Sequence, residues 1–134
     1  MNREELGKLY KQYELTPDDV FKHKHYTIIT RSGIEKIALI AGIDVNYKVI
    51  KCEKHFCVVK AYNEEMETFG SALYGGKVQN EAGKWVDTGT TTSWYVMELA
   101  EKRALSRLVL KSTGFYSAGA MGEDESEDFK KPNK

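Results

Sequence analysis

The stretch Trp94-Tyr95-Val96-Met97-Glu98-Leu99-Ala100-Glu101-Lys102-Arg103-Ala104-Leu105-Ser106-Arg107-Leu108-Val109-Leu110-Lys111-Ser112 reads as one long helix. Met97, Ala100, Ala104 and Leu108 recur at helical spacing and form a core stripe. Leu99, Leu105, Val109 and Leu110 carry apolar surface around most of the remaining circumference, so the helix must be covered on more than one side. Packing against a second subunit is one way to supply that cover. Arg103, Arg107 and Lys111 stand at i, i+4 and i+8 and line up as a basic stripe. Thr90 to Thr92 or Ser93 offers an N-cap, and Gly114 closes the far end.

The surface this helix needs lies just upstream. From Asp44 the hydrophobic period changes from 3.6 to 2, and residues 45–52, 55–62 and 65–74 read as strands rich in β-branched and aromatic residues. The short turns Glu53-Lys54 and Asn63-Glu64 join them into an antiparallel meander. Gly70 and Ala72 share a face of the third strand, where small side chains let a helix come close. The expected fold is therefore α+β: a three-stranded antiparallel sheet packed against a long C-terminal helix, preceded by one or two N-terminal helices.

Further out the signals are more local. Leu6, Leu9, Tyr10 and Tyr13 predict a peripheral helix over 3–15, and Pro17 opens a short helical turn to His23. After Tyr26 to Thr30, Ser32 can cap a helix over 33–41 whose Ile34, Ile37, Ala38 and Ala41 are buried, with Gly42 as a left-handed C-cap. Residues 75–89 read as an extended hairpin or a mobile loop. A chain of 134 residues suits one domain, assigned to 1–116, with an acidic tail over 117–134 expected to be disordered.

Composition narrows the function classes. No run approaches the roughly 18 apolar residues of a membrane span, and Met1-Asn2-Arg3-Glu4-Glu5 lacks the pattern of a secretory signal. Two cysteines, Cys52 and Cys57, are too few and too close for a disulfide framework and suit a cytoplasmic protein. The net charge is zero, but Gly122 to Lys134 holds five acids and three lysines, leaving 17 basic against 15 acidic residues elsewhere. That small excess points weakly to a polyanion, so the placement of charge decides.

Two readings of the basic stripe stand side by side. Arg103 and Arg107 can pair with Glu65, Glu67 or Glu98 as solvated charge, or a guanidinium line bordered by apolar surface can take phosphate oxygens. Lys60 sits mid-strand on the face of Phe56, Val58 and Tyr62, which is an intersubunit surface or a binding face unless the lysine is simply solvated. Tyr47, Phe56, Tyr62, Tyr74 and Trp85 could stack on bases, although strand aromatics more often pack across strands. Cys52, His55 and Cys57, with His23 and His25, do not match paired zinc-ligand spacing; the cysteines read as a packed pair. Gly75-Gly76-Lys77 lacks the first glycine and the final Ser or Thr of a phosphate loop. No hydrolase nucleophile carries a flanking signature, so no catalytic residue, metal or cofactor is expected. The acidic run Glu123 to Asp128, ending on Phe129, can solubilise, dock a partner or mimic DNA in a basic groove.

The segment Glu98 to Arg107 resembles the helix signature of the single-strand annealing proteins of the Rad fifty-two type, from phages and eukaryotes. The order of elements over Tyr26 to Gly114 agrees, with a Gly-containing helix, a three-stranded sheet whose last strand carries Phe69-Gly70-Ser71-Ala72, and the basic helix. The resemblance implies a non-enzymatic subunit that assembles into rings or filaments and holds single-stranded DNA along a positive groove for annealing in recombination or repair. It implies Lys102, Arg103 and Arg107 as groove residues, with Arg31 and Lys36 beside them; Lys111 and Lys60 join the expected DNA contacts from their own placement. A recombination partner bound through the acidic tail is a further expectation. The alternative is a protein-interaction module, a phage accessory factor or inhibitor, on the same scaffold.

Overall fold

The computed structural model describes residues 3–125 except 76, 92 and 93. Gly76 of the glycine pair, Thr92 and Ser93 of the expected cap, and the acidic run beyond Glu125 with Phe129 lie outside the described residues. The fold is α+β, with a three-stranded antiparallel sheet packed against a long C-terminal helix, as the hydrophobic periods predict.

That sheet consists of β3 (Asn46–Cys52), β4 (Phe56–Tyr62) and β5 (Glu67–Leu73). The buried residues of β4 and β5 alternate with partly or fully exposed ones, and Cys57, Val59 and Ala61 stand opposite Ala72, Gly70 and Thr68. The resulting face receives α3 (Val96–Ser112) through Val96, Ala100, Ala104 and Leu108. The approach is close enough that a Cβ on Gly70 would stand 2.2 Å from the Ala100 carbonyl oxygen and 2.4 Å from the Ala104 nitrogen. Thr68 adds a buried hydroxyl bond to the Ala104 carbonyl at 2.8 Å.

The other side of α3 is covered from within the same chain. Leu105, Val109 and Leu110 join Ile29, Ile34, Ile37, Phe115, Leu6 and Tyr13 in the larger core. Hence the apolar circumference of α3 does not itself call for a second subunit. The cover comes from α1 (Arg3–Gln12), from α2 (Arg31–Ala41) and from a second sheet. The first helix is thus not peripheral, because Leu6 is buried and Tyr13, just beyond its end, packs on the Phe115 ring at 5.8 Å.

The second sheet corrects two expectations. Residues 20–29 form a hairpin, β1 (Val20–His23) with β2 (Tyr26–Ile29), rather than continuing a helical turn to His23. Lys24 at its tip takes a positive φ of 56°. The chain after Gly114 does not leave the fold at 117: β8 (Ala120–Gly122) runs parallel to β2, and a 3-10 turn, Glu123–Glu125, follows. Ala118 and Ala120 are buried, which explains why a run of small residues without periodicity is nevertheless structured. The folded unit therefore extends at least to Glu125.

Remaining elements follow local chemistry. Thr30, rather than Ser32, caps α2 by accepting from the Gly33 N–H, and Gly42 ends it at φ 66°. Residues 77–87 form a hairpin, β6 (Lys77–Gln79) with β7 (Trp85–Asp87). Helix α3 starts two residues later than Trp94, and Tyr95 at its N-cap makes no side-chain capping bond. Thr90 does not cap it; its hydroxyl oxygen accepts from the Leu73 N–H at 2.8 Å, tying the loop to β5.

Candidate nucleic-acid interface

The two arginines of the expected stripe are engaged within the chain, Arg103 buried and Arg107 half-exposed. Arg103 is 5% exposed; its Nε donates to the Asp124 carbonyl at 2.7 Å and its Nη1 to the Ser71 carbonyl at 2.9 Å. Arg107 Nη1 donates to the Phe69 carbonyl at 2.8 Å, while Nε and Nη2 form a bidentate pair with the Glu125 carboxylate. Phe69 and Ser71 lie on β5, an edge strand, so the guanidinium groups satisfy main-chain acceptors that would otherwise face solvent. Neither Glu65, Glu67 nor Glu98 is the partner; the acids come from the segment read as a free tail.

The carboxylates of that segment engage in succession. Glu123 accepts from the Arg31 N–H at the start of α2, Asp124 lies 3.9 Å from Arg31 Nη1, and Glu125 takes Arg107 together with the Tyr116 hydroxyl. Burial alone would push the Glu125 carboxyl up, but hydrogen bonds from Arg107 and Tyr116 outweigh it and hold the group below its ordinary value. Burial and then Glu125 push the Tyr116 hydroxyl well above the usual phenol range.

The other expected DNA contacts are dispersed. Arg31 also pairs with Glu35. Lys36 reaches Asp19 at 2.7 Å and the Glu14 carbonyl at 3.1 Å, joining the loop after α1 to α2. Burial would raise the Asp19 carboxyl, yet Lys36, the Thr16 N–H and the Ser32 hydroxyl hold it below the ordinary value. Lys102 and Lys111 are exposed, with no ion pair among the described residues. Nine residues apart, they project about 180° from each other around the helix axis and cannot line one groove.

What the structure does bring together is the face of the β3–β4–β5 sheet turned away from α3. Register places Lys48 opposite Lys60 and Lys60 opposite Phe69, with Lys51 opposite Val58, Tyr62 opposite Glu67 and Phe56 opposite Leu73. No described element covers this face: Phe69 is 46% and Leu73 39% exposed. Lys60 Nζ lies 4.9 Å from the Tyr62 ring centroid and 3.2 Å from Glu67, and Lys51 pairs with Glu53. Lys48 is exposed, with no ion pair among the described residues. The result is a surface on which Lys48, Lys51 and Lys60 stand among aromatic and aliphatic side chains, with Glu67 beside Lys60.

Of the five aromatic candidates, Phe56 and Tyr62 belong to this face. Tyr47 lies on the helix side of β3, Tyr74 stacks on Trp94 at 3.9 Å, and Trp85 stands 65% exposed on β7. Sequence reasoning reached Lys60 but missed Lys48, Lys51 and Phe69. Alternation along β5 could have found Phe69. Lys48 and Lys51 depend on a register shift between Val49 and Lys51, which no composition signal marks. Compared with known proteins, the chain matches no family model, no curated protein and no solved structure. Among the described residues no helix is long and apolar enough to cross a membrane.

Proposed function

We propose that this chain is a non-enzymatic, cytoplasmic single-stranded DNA-binding and strand-annealing protein of recombination or repair, acting as a homo-oligomer. The observation that carries the reading is the open sheet face, where Lys48, Lys51 and Lys60 stand among Phe56, Tyr62 and Phe69. Single strands are held by this combination: ammonium groups take the phosphates and exposed rings stack on bases at about 1–3 kcal/mol each. Annealing needs no nucleophile or metal, only bases presented while backbone charge is screened. The self-association part draws on β3, an edge strand with all seven residues exposed, including Tyr47, Val49 and Ile50.

The contacts are thereby moved from Arg103 and Arg107 to the sheet lysines, with Lys102 and Lys111 as further exposed cations. The test is binding of a labelled oligothymidine over a salt series. Affinity should fall log-linearly with salt, and Lys48→Ala with Lys60→Ala should lower the slope by about 1 per lysine. Light scattering with and without the oligonucleotide reads the assembly. A monomer that ignores oligonucleotides at low salt would replace this reading with the protein-interaction module, which exposed Phe69 and Leu73 would also serve.

A further inference from the structure

Cys52 and Cys57 are partners across the turn that joins β3 to β4. Glu53 and Phe56, the next pair inward, exchange both main-chain bonds, at 2.7 Å and 3.5 Å. Antiparallel pairs alternate, so Cys52 and Cys57 form a non-hydrogen-bonded pair, in which the Cα atoms stand about 4.5 Å apart. That separation falls within the range a disulfide spans, about 4.4–6.8 Å. Both side chains lie on the α3 side of the sheet, and both are free.

We propose that Cys52 and Cys57 are a reversible thiol–disulfide site that is closed by a low-molecular-weight disulfide such as oxidised glutathione. The unequal exposure of the two cysteines assigns the order of steps. Cys52 is exposed, whereas Cys57 is fully buried among Val59, Ala72, Val96 and Ala100. Burial, with Cys52 and then Glu98 beside it, pushes the Cys57 thiol up to about 11, which makes it the poorer first nucleophile. Cys52, as thiolate, attacks one sulfur of the small disulfide; a Cys52–glutathione bond forms and one glutathione thiolate leaves, taking up the proton. Cys57 then gives up its proton and attacks Cys52 Sγ; the protein disulfide forms and the second glutathione leaves. Two protein thiols are oxidised and one small disulfide is reduced to two thiols.

The bond would join the last residue of β3 to the second residue of β4. Because β3 is an edge strand whose one partner in the sheet is β4, closure restrains that edge against fraying. Its short loop means little change in the unfolded chain. None of this depends on the DNA-binding reading.

The test uses the full chain in glutathione buffers of graded redox ratio, trapped with N-ethylmaleimide and weighed intact. Since the chain holds two cysteines, each species is unambiguous. The expected product is a monomer lighter by two hydrogens, without maleimide, that dithiothreitol returns to a doubly labelled form. Cys52→Ser, a change at an exposed position, should take up no glutathione at Cys57 while folded. Double labelling throughout the oxidising range overturns the proposal. So does a stable glutathione adduct on Cys52 with Cys57 still open to maleimide after unfolding, or disulfide-linked dimers on a non-reducing gel.

Discussion

The edge of β5 and the open face of its sheet carry the same kind of charge to opposite ends. At the edge, Arg103 and Arg107 are consumed by main-chain carbonyls and by the 123–125 turn. On the face, Lys48 stays in solvent and Lys60 leans on a tyrosine ring. The difference is one of geometry. Guanidinium groups offer several donors in a fixed plane and can bridge a strand edge and a carboxylate at once; a lysine offers a compact charge on a flexible stem. Basic residues on a helix are therefore a poor guide to where a polyanion would sit unless the acids that could reach them are known.

Substitutions can break this division. The largest effect is expected at Gly70→Ala, where the methyl group meets the backbone of α3, which cannot yield as a side chain could. A loss of about 3 kcal/mol or more in urea denaturation is expected, because the seam between sheet and helix must open. Arg103→Ala should cost about 2–3 kcal/mol, chiefly by leaving the buried Asp124 carbonyl without its charged donor, and should leave the salt slope of any DNA binding unchanged. A normal stability with a shallower salt slope would reverse the roles assigned to edge and face.

Glu125→Gln is expected to cost about 1–2 kcal/mol, since the bidentate pair is partly solvated but its partner also holds β5. The pH dependence follows with a definite sign. Asp19 and Glu125 have folded-state values held below the ordinary carboxylate range. Their contribution is complete above the unfolded value of about 4 and is lost as pH falls through the folded values. Urea midpoints taken between neutral and acid pH should drop below about pH 4, and less steeply in the Asp19→Asn variant. Smallest of all, Lys48→Ala should change stability by less than about 0.5 kcal/mol. Its effect should appear only in nucleic-acid binding, and a large loss of stability would show that the face is not open.

Much of the fold was legible because it rests on period. Alternation through β4 and β5, a 3.6 pattern through α3 and small residues at Gly70 and Ala72 each have one physical solution, a helix pressed onto a sheet. The helix after Gly33 and its left-handed stop at Gly42 were equally local. Residues 117–125 were not legible, since Ala118 and Ala120 owe their burial to neighbours that are distant in sequence rather than to any pattern of their own. The same holds for the candidate site. That Arg103 and Arg107 share a helix face is fixed by spacing, but their partners come from β5 and from the 123–125 turn.

By itself, then, the sequence determined the three strands of the larger sheet, their pairing with α3 and the identity of the cations, but not the second sheet. Tertiary structure decided which cations remain available. The bulge between Val49 and Lys51 is the clearest instance. Cys52 faces Cys57, and an unbroken register from that pair would set Val49 against Lys60 and Lys48 against the buried Ala61. The one-residue shift sets Lys48 against Lys60 and turns it to the open face. A strand has period 2, so a single extra residue exchanges the two faces for everything beyond it. Only the folded pairing shows on which side of that exchange each lysine lies.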